Sequence, residues 1–250
     1  MTSMGRRMLA FCLCLPAACD AAAAGRDFVY AVSKARVGSD KKTAGISIET
    51  LTVRRAAGLE ASAIRAMNAA LAAQSATFHA DGLACHDADY DGPWSYEAKF
   101  DGYSRSQDFL TVMFETFSAC GVSPYLARTG LTFALDSGRL VPTRGLVERL
   151  APRLLADEAT IDHDVLRLGE EAGTQFMDDQ ADQFMPDLTP TCAWYIKQTG
   201  FKAWSIKDRL VLHPEFQQPY SVCYKDYVVR SEPATGAVTR LFPGYAQAPR

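Results

Sequence analysis

Cysteine placement constrains this chain more than any other feature. Cys12, Cys14 and Cys19 crowd into the N-terminal segment, whereas Cys85, Cys120, Cys192 and Cys223 are spread through the rest. The N-terminal segment has the layout of an export signal: Arg6 and Arg7, an apolar run from Met8 to Ala18, then small residues at Ala22, Ala23 and Ala24. That pattern predicts cleavage after Ala24, and the apolar run falls short of the ~20 residues a membrane-spanning helix needs. Leu15-Pro-Ala-Ala-Cys19 also resembles a lipoprotein cleavage box in which Cys19 would take the lipid, with Pro16 where such boxes prefer a branched apolar residue. The four remaining cysteines form an even set in an exported chain, which reads as two disulfides. Three connectivities are possible. The sequence-local one, Cys85–Cys120 and Cys192–Cys223, is favoured over crossed pairs and over free thiols. Zinc is the weaker rival because no C-x-x-C pair exists. Each local bridge would close a loop of about thirty-odd residues, worth about 3.5–4 kcal/mol on the chain-entropy account.

Charge narrows the function classes. The full chain has 26 basic and 29 acidic residues, a net of −3. Losing residues 1–24 with Arg6, Arg7 and Asp20 leaves 24 and 28, a net of −4. A nucleic-acid binder would be basic overall or carry a basic stripe, so nucleic acid is excluded as a partner.

Periodicity predicts an α+β fold of two consecutive small units, with antiparallel strands packed against helices. Ile46–Val53 reads as a strand, and Ile64, Met67 and Leu71 at helical spacing predict a helix over 59–76. The polar, glycine-containing stretch 79–93 reads as a loop. Alternation at Trp94–Phe100, a bend at Asp101-Gly102, then Phe109–Phe117 and Gly130–Asp136 predict a meander. Thr143 is the expected cap of a short helix carrying Leu146, Val147 and Leu150. A longer helix is expected over 162–180, capped by Asp162, with Val165, Leu168, Ala172 and Phe176 on one stripe. Strands are expected at 192–198, 201–206, 210–212 and 221–229. The implied organisation is an export signal at 1–24, a linker at 25–44, units at 45–140 and 141–235, and a tail at 236–250.

Two local motifs resemble those of a bacterial envelope family, the domain of unknown function 3298 preceded by a small strand–helix–strand module. The first is the turn Phe117-Ser-Ala-Cys-Gly-Val-Ser-Pro-Tyr125 followed by Thr132-Phe-Ala-Leu-Asp-Ser-Gly138. The second runs from Leu210 through His213-Pro-Glu-Phe-Gln-Gln-Pro-Tyr220 to Val229. Cys120 and Cys223 stand where that family has glycines, and Val122 stands where it has a turn histidine. Members of this family occur in lysozyme-sensing anti-sigma factors and beside peptidoglycan deacetylase domains. The resemblance implies a cell-envelope module whose partner is a cell-wall glycan or a lysozyme-like protein; a structural or assembly factor that binds another envelope protein is a separate reading.

Catalytic signatures are missing from the sequence: there is no G-x-S-x-G elbow, P-loop, H-E-x-x-H or dinucleotide fingerprint. The acidic stretch His86–Asp91 lacks calcium-loop spacing, and Asp162-His163-Asp164 reads as a helix-start cluster, so no metal and no cofactor are expected. The candidate binding residues are aromatic: Phe216 and Tyr220, stiffened by Pro214 and Pro219, and Tyr125 after Pro124. The reading is a non-catalytic envelope binding module, with an envelope hydrolase using carboxylates at 86–91 or 162–164 as the alternative.

Overall fold

The computed structural model describes residues 24–25, 28–37, 45–86, 94–121, 124–155, 159–179, 189–215, 223 and 226–229. Two sheets carry the architecture, which is α+β as the periodicity predicts. The first has the order β1-β2-β3-β4-β5-β6, built from β1 (Ala24–Gly25), β2 (Phe28–Val37), β3 (Ile46–Ala56), β4 (Ser95–Arg105), β5 (Phe109–Ala119) and β6 (Tyr125–Ala134). Its pairings are antiparallel except β3–β4, which run parallel over Ile46–Ile48 and Tyr96–Ala98. A parallel pair needs a crossover, and helix α1 (Ala61–His86) supplies it.

Helix α1 lies on the sheet through Met67, Leu71, Phe78 and Cys85, all buried against Ile46, Ile48, Leu51 and Phe114. It extends ten residues past the predicted end at 76, because Phe78 and Cys85 continue the same stripe. Gly82, which reads as a turn signal in the sequence, sits mid-helix. A Cβ there would lie 2.9 Å from Ile46 Cγ2, so glycine permits close helix–strand approach. Because β4 pairs with β3 only at its start, the later part of β3 needs another partner. Asn68 provides one: its side chain accepts from Val53 N (2.8 Å) and donates to Val53 O (2.9 Å). Residues 28–37, expected within a linker, pair with β3 along their length, and Phe28 and Tyr30 enter the core. The Asp101-Gly102 bend is a bulge inside β4, with Gly102 at φ +131°, so the strand passes through it.

The second sheet has the order β11-β10-β9-β8-β7: β7 (Thr160–Asp162), β8 (Val165–Arg167), β9 (Gly200–Ile206), β10 (Arg209–Glu215) and β11 (Tyr227–Val228). Helices α2 (Thr143–Leu150), α3 (Glu170–Asp179) and α4 (Thr189–Gln198) pack on it, with a 3₁₀ turn at Pro152–Leu155. Three expectations are corrected here. The 162–180 helix is a hairpin followed by a shorter helix: His163 (φ +46°) and Asp164 (φ +66°) form a left-handed two-residue turn that closes β7 on β8, and α3 starts only at Glu170. Asp162 therefore ends a strand and caps nothing. Residues 192–198, expected as a strand, are helical, because Cys192 and Ile196 are both buried one turn apart. Only Tyr227–Val228 of the 221–229 run forms a strand among the described residues.

Both disulfides have the sequence-local connectivity, Cys85–Cys120 and Cys192–Cys223. The first ties the end of α1 to the end of β5, and the second ties α4 to the segment before β11. Each sheet has its own apolar core, but they are joined closely: Phe109 of β5 packs into the second core, and Ser205 N donates to Thr132 Oγ1 at 3.0 Å.

Candidate functional site

Among the described residues β6 is the outermost strand of the first sheet, and β9 of the second sheet lies against it. Between them opens a cleft of about 670 Å³. One wall is the C-terminal half of α1 (Thr77, Asp81, Cys85) and the sheet residues Tyr96, Thr116, Ser118, Tyr125, Ala127 and Thr129. The other is Leu140, Thr143, the β7–β8 turn with His163 and Asp164, and Lys202 and Ala203 of β9. The floor strands place hydroxyls here because β5 and β6 are paired directly, with Ser118 opposite Tyr125 and Thr116 opposite Ala127. The Cys85–Cys120 bridge holds α1 and β5 together at this wall.

The electrostatics of the cleft follow from its partners. The Tyr96 hydroxyl is pushed above its ordinary pKa, first by burial and then by the charge of Asp81 and a hydrogen bond to it. It is therefore a neutral donor at physiological pH, aimed at the Asp81 carboxylate. Asp164 reaches back to α2: its Oδ1 accepts from Thr143 N (2.9 Å), and its carbonyl accepts from Thr143 Oγ1 (2.7 Å). Thr143, the cap of α2 that the sequence predicts, is the first residue of the helix. The N-cap position is instead Pro142, which makes no side-chain cap bond, and Asp164 does the capping across the fold. Lys202 is paired with Glu215 at 2.9 Å, and His163 with Asp162 at 2.8 Å in solvent. Asp81 and Asp164 thus stand in the cleft without an ion pair among the described residues, and the cleft presents negative charge.

A second constellation lies at the junction of the sheets. The Arg128 guanidinium bridges Asp101 and Asp226, and the other oxygen of Asp226 meets His213 Nδ1 at 2.9 Å. Burial works against the Arg128 charge, but the hydrogen bond to Asp101 and the charges of Asp226, Asp101 and Glu115 raise its pKa overall. His213 is only 2% exposed and packs its ring 5.5 Å from that of Trp204, so the imidazole is shielded from solvent while the Asp226 carboxylate stays partly exposed. It acts as a clasp between β6 and the second sheet. No local sequence signal marks it, since its members lie on β4, β6, β10 and the approach to β11.

Of the aromatic candidates, Tyr125 lines the cleft, while Phe216 and Tyr220 lie outside the described residues, as does Cys19. Among the described residues no group of three or more histidine, cysteine or carboxylate side chains is arranged to hold a metal. The Asp162-His163-Asp164 cluster is divided by its own turn, with Asp164 turned to α2 and the other two in solvent. No helix among the described residues is long and apolar enough to cross a membrane.

Two solved structures are similar to this chain. One, from Pseudomonas aeruginosa PAO1, matches 81% of this chain and 88% of its own at 10% sequence identity, with a TM-score of 0.38. The other, from Bacteroides fragilis NCTC 9343, matches 69% of this chain and 74% of its own at 10% identity, with a TM-score of 0.29. Both are described as members of the domain of unknown function 3298 family. That is the family whose motifs the sequence resembles. No family model matches the chain, and no curated protein matches it.

Proposed function

We propose that this chain is an exported, non-catalytic binding module of the cell envelope, and that the cleft beside β6 takes its ligand. The observation that carries this is the cleft itself, which combines the aromatic side chain of Tyr125, hydroxyls (Thr77, Tyr96, Thr116, Ser118, Thr129) and two carboxylates on opposing walls. Apolar faces ringed by hydroxyl donors and acceptors are what a saccharide or a peptide backbone engages. Two disulfides support an oxidising compartment, in keeping with an export signal that is cut either after Ala24 or, in the lipoprotein alternative, before Cys19, which would then carry the lipid. The partner is then a cell-wall glycan, a lysozyme-like protein or another envelope protein.

Co-sedimentation with purified peptidoglycan sacculi and capture on immobilised lysozyme test this reading. Retention by one of them, reduced about tenfold or more by Tyr125→Ala, is the expected result. Retention by neither sinks the cell-wall glycan and the lysozyme-like protein as partners and leaves another envelope protein. Muropeptide profiles of wall material left unchanged by the protein are also expected, and new fragments would replace the binding module with the hydrolase.

A further inference from the structure

Among the described residues the floor of the cleft is an open sheet edge, and this chain has already used part of it. Residues Arg139–Val141 return along β6, where Val141 N donates to Thr132 O and Ala134 N to Arg139 O (2.8 and 3.0 Å). These bonds show which groups of β6 point away from β5: those of the even-numbered residues. The same parity turns the N–H and C=O groups of Leu126, Arg128 and Gly130 outward. No hydrogen bond to them is formed by the described residues. The self-pairing therefore stops partway, and the cleft opens where it stops, beside Leu140 and Thr143.

Proteins usually blunt an unpaired edge with a charge, a proline or a covering loop. This edge has Arg128, but its guanidinium is spent on Asp101 and Asp226 on the face toward the second sheet. Leu126, at 42% exposure, leaves the outer end accessible. The stretch from Leu126 to Gly130 accommodates about five extended residues at about 3.3 Å each.

Resting on the cleft as the ligand site, we infer that its ligand is an extended, basic polypeptide segment that adds to β6 as a seventh strand. Alternating donors and acceptors at strand spacing are complemented by another extended backbone. The small side chains of Ala127 and Thr129 leave room above the floor, and the carboxylates of Asp81 and Asp164 select basic residues. The flanking walls favour a single chain over the sheet edge of a second copy.

The test uses the full-length oxidised chain and a synthetic peptide of alternating lysine and valine. Two further versions are N-methylated, one at the lysines and one at the valines. Fluorescence anisotropy is expected to show binding that one N-methyl pattern abolishes and the other spares, since only alternate N–H groups face β6. Leu126→Pro removes one outward N–H at a position where an edge strand tolerates proline. It is expected to weaken the peptide about tenfold while an unchanged urea midpoint shows the fold intact. Asp81→Asn is expected to weaken binding and flatten its salt dependence. No binding at millimolar peptide, or equal binding of both N-methylated forms, overturns the inference. So does a dimer that Leu126→Pro dissolves, which would assign the edge to a second copy. Sacculi or lysozyme retained by wild type and lost with Tyr125→Ala, without peptide binding, would leave the cleft as the binding site and remove only the strand. Loss of every interaction would remove both.

Discussion

At single positions, the tightest demands come from residues with little or no side chain. Gly130 faces the second sheet, where a Cβ would overlap the fully buried Trp204 ring. The ring is large and held beside His213, so it cannot swing aside without opening the junction. Gly130→Ala is accordingly expected to cost about 1–3 kcal/mol through overpacking. Urea unfolding measures this directly, and a midpoint equal to wild type would mean that the two sheets are free to separate at this point. Gly82 imposes the same demand more mildly, because a Cβ there would lie 2.9 Å from Ile46 Cγ2, against 2.3 Å from the Trp204 ring at Gly130. A sequence shows a glycine in either case, and its ordinary meaning is a turn. Close approach between distant segments leaves no local trace, which is why Gly82 pointed to a loop and Gly130 to nothing.

At the scale of elements, legibility followed how local the determining interactions are. The meander and the strands at 201–206 and 210–212 could be read because the pattern that marks each of them is contained within its own segment. The two disulfide pairings could be read because exported cysteines in even number limit the choices. The 162–180 segment could not. Its apolar spacing suits a helix, but the left-handed His163–Asp164 pair folds it back, and Asp164 is then held by Thr143 of α2. Of the candidate site, Tyr125 was legible as an aromatic after a proline. Asp81, Tyr96 and the open edge were not, since they meet only after α1 crosses over between β3 and β4. Asn68 illustrates the same point energetically. Its amide replaces a missing strand partner for Val53 at both the N–H and the carbonyl. Asn68→Ala should strip both bonds from a partly buried backbone and cost about 2 kcal/mol. Hydrogen exchange at Val53 should accelerate in that variant, whereas a purely global loss would speed all core amides of the first sheet alike.

Across the whole molecule, two cores meet through Phe109, Trp204 and the Arg128–Asp226–His213 clasp, so local perturbations are expected to spread. Replacing Cys85 and Cys120 together by serine frees the 35-residue separation they span, and should cost about 3–4 kcal/mol on the loop-entropy account. Because the cores are coupled, calorimetry should show one transition at lower temperature, and a split into two transitions would refute the coupling. The alkaline limb of stability probes each core separately. Tyr96 and Tyr227 lie in different cores, and burial raises the pKa of both, with Asp81 adding to the effect at Tyr96. In the unfolded chain each phenol loses its proton near its ordinary value of 10.0. Above that pH the unfolded state binds fewer protons than the native one, so stability falls as pH rises. Below it their contribution is fully present. Tyr227 also donates to Cys223 O at 2.7 Å, a bond that ionisation would abolish. Urea midpoints from about pH 9 to 11.5 should therefore drop, and Tyr227→Phe should lower the value at pH 9 yet flatten the decline above 10. A slope unchanged by that substitution would mean that the native phenol ionises as readily as the unfolded one, and that the second core admits water around it.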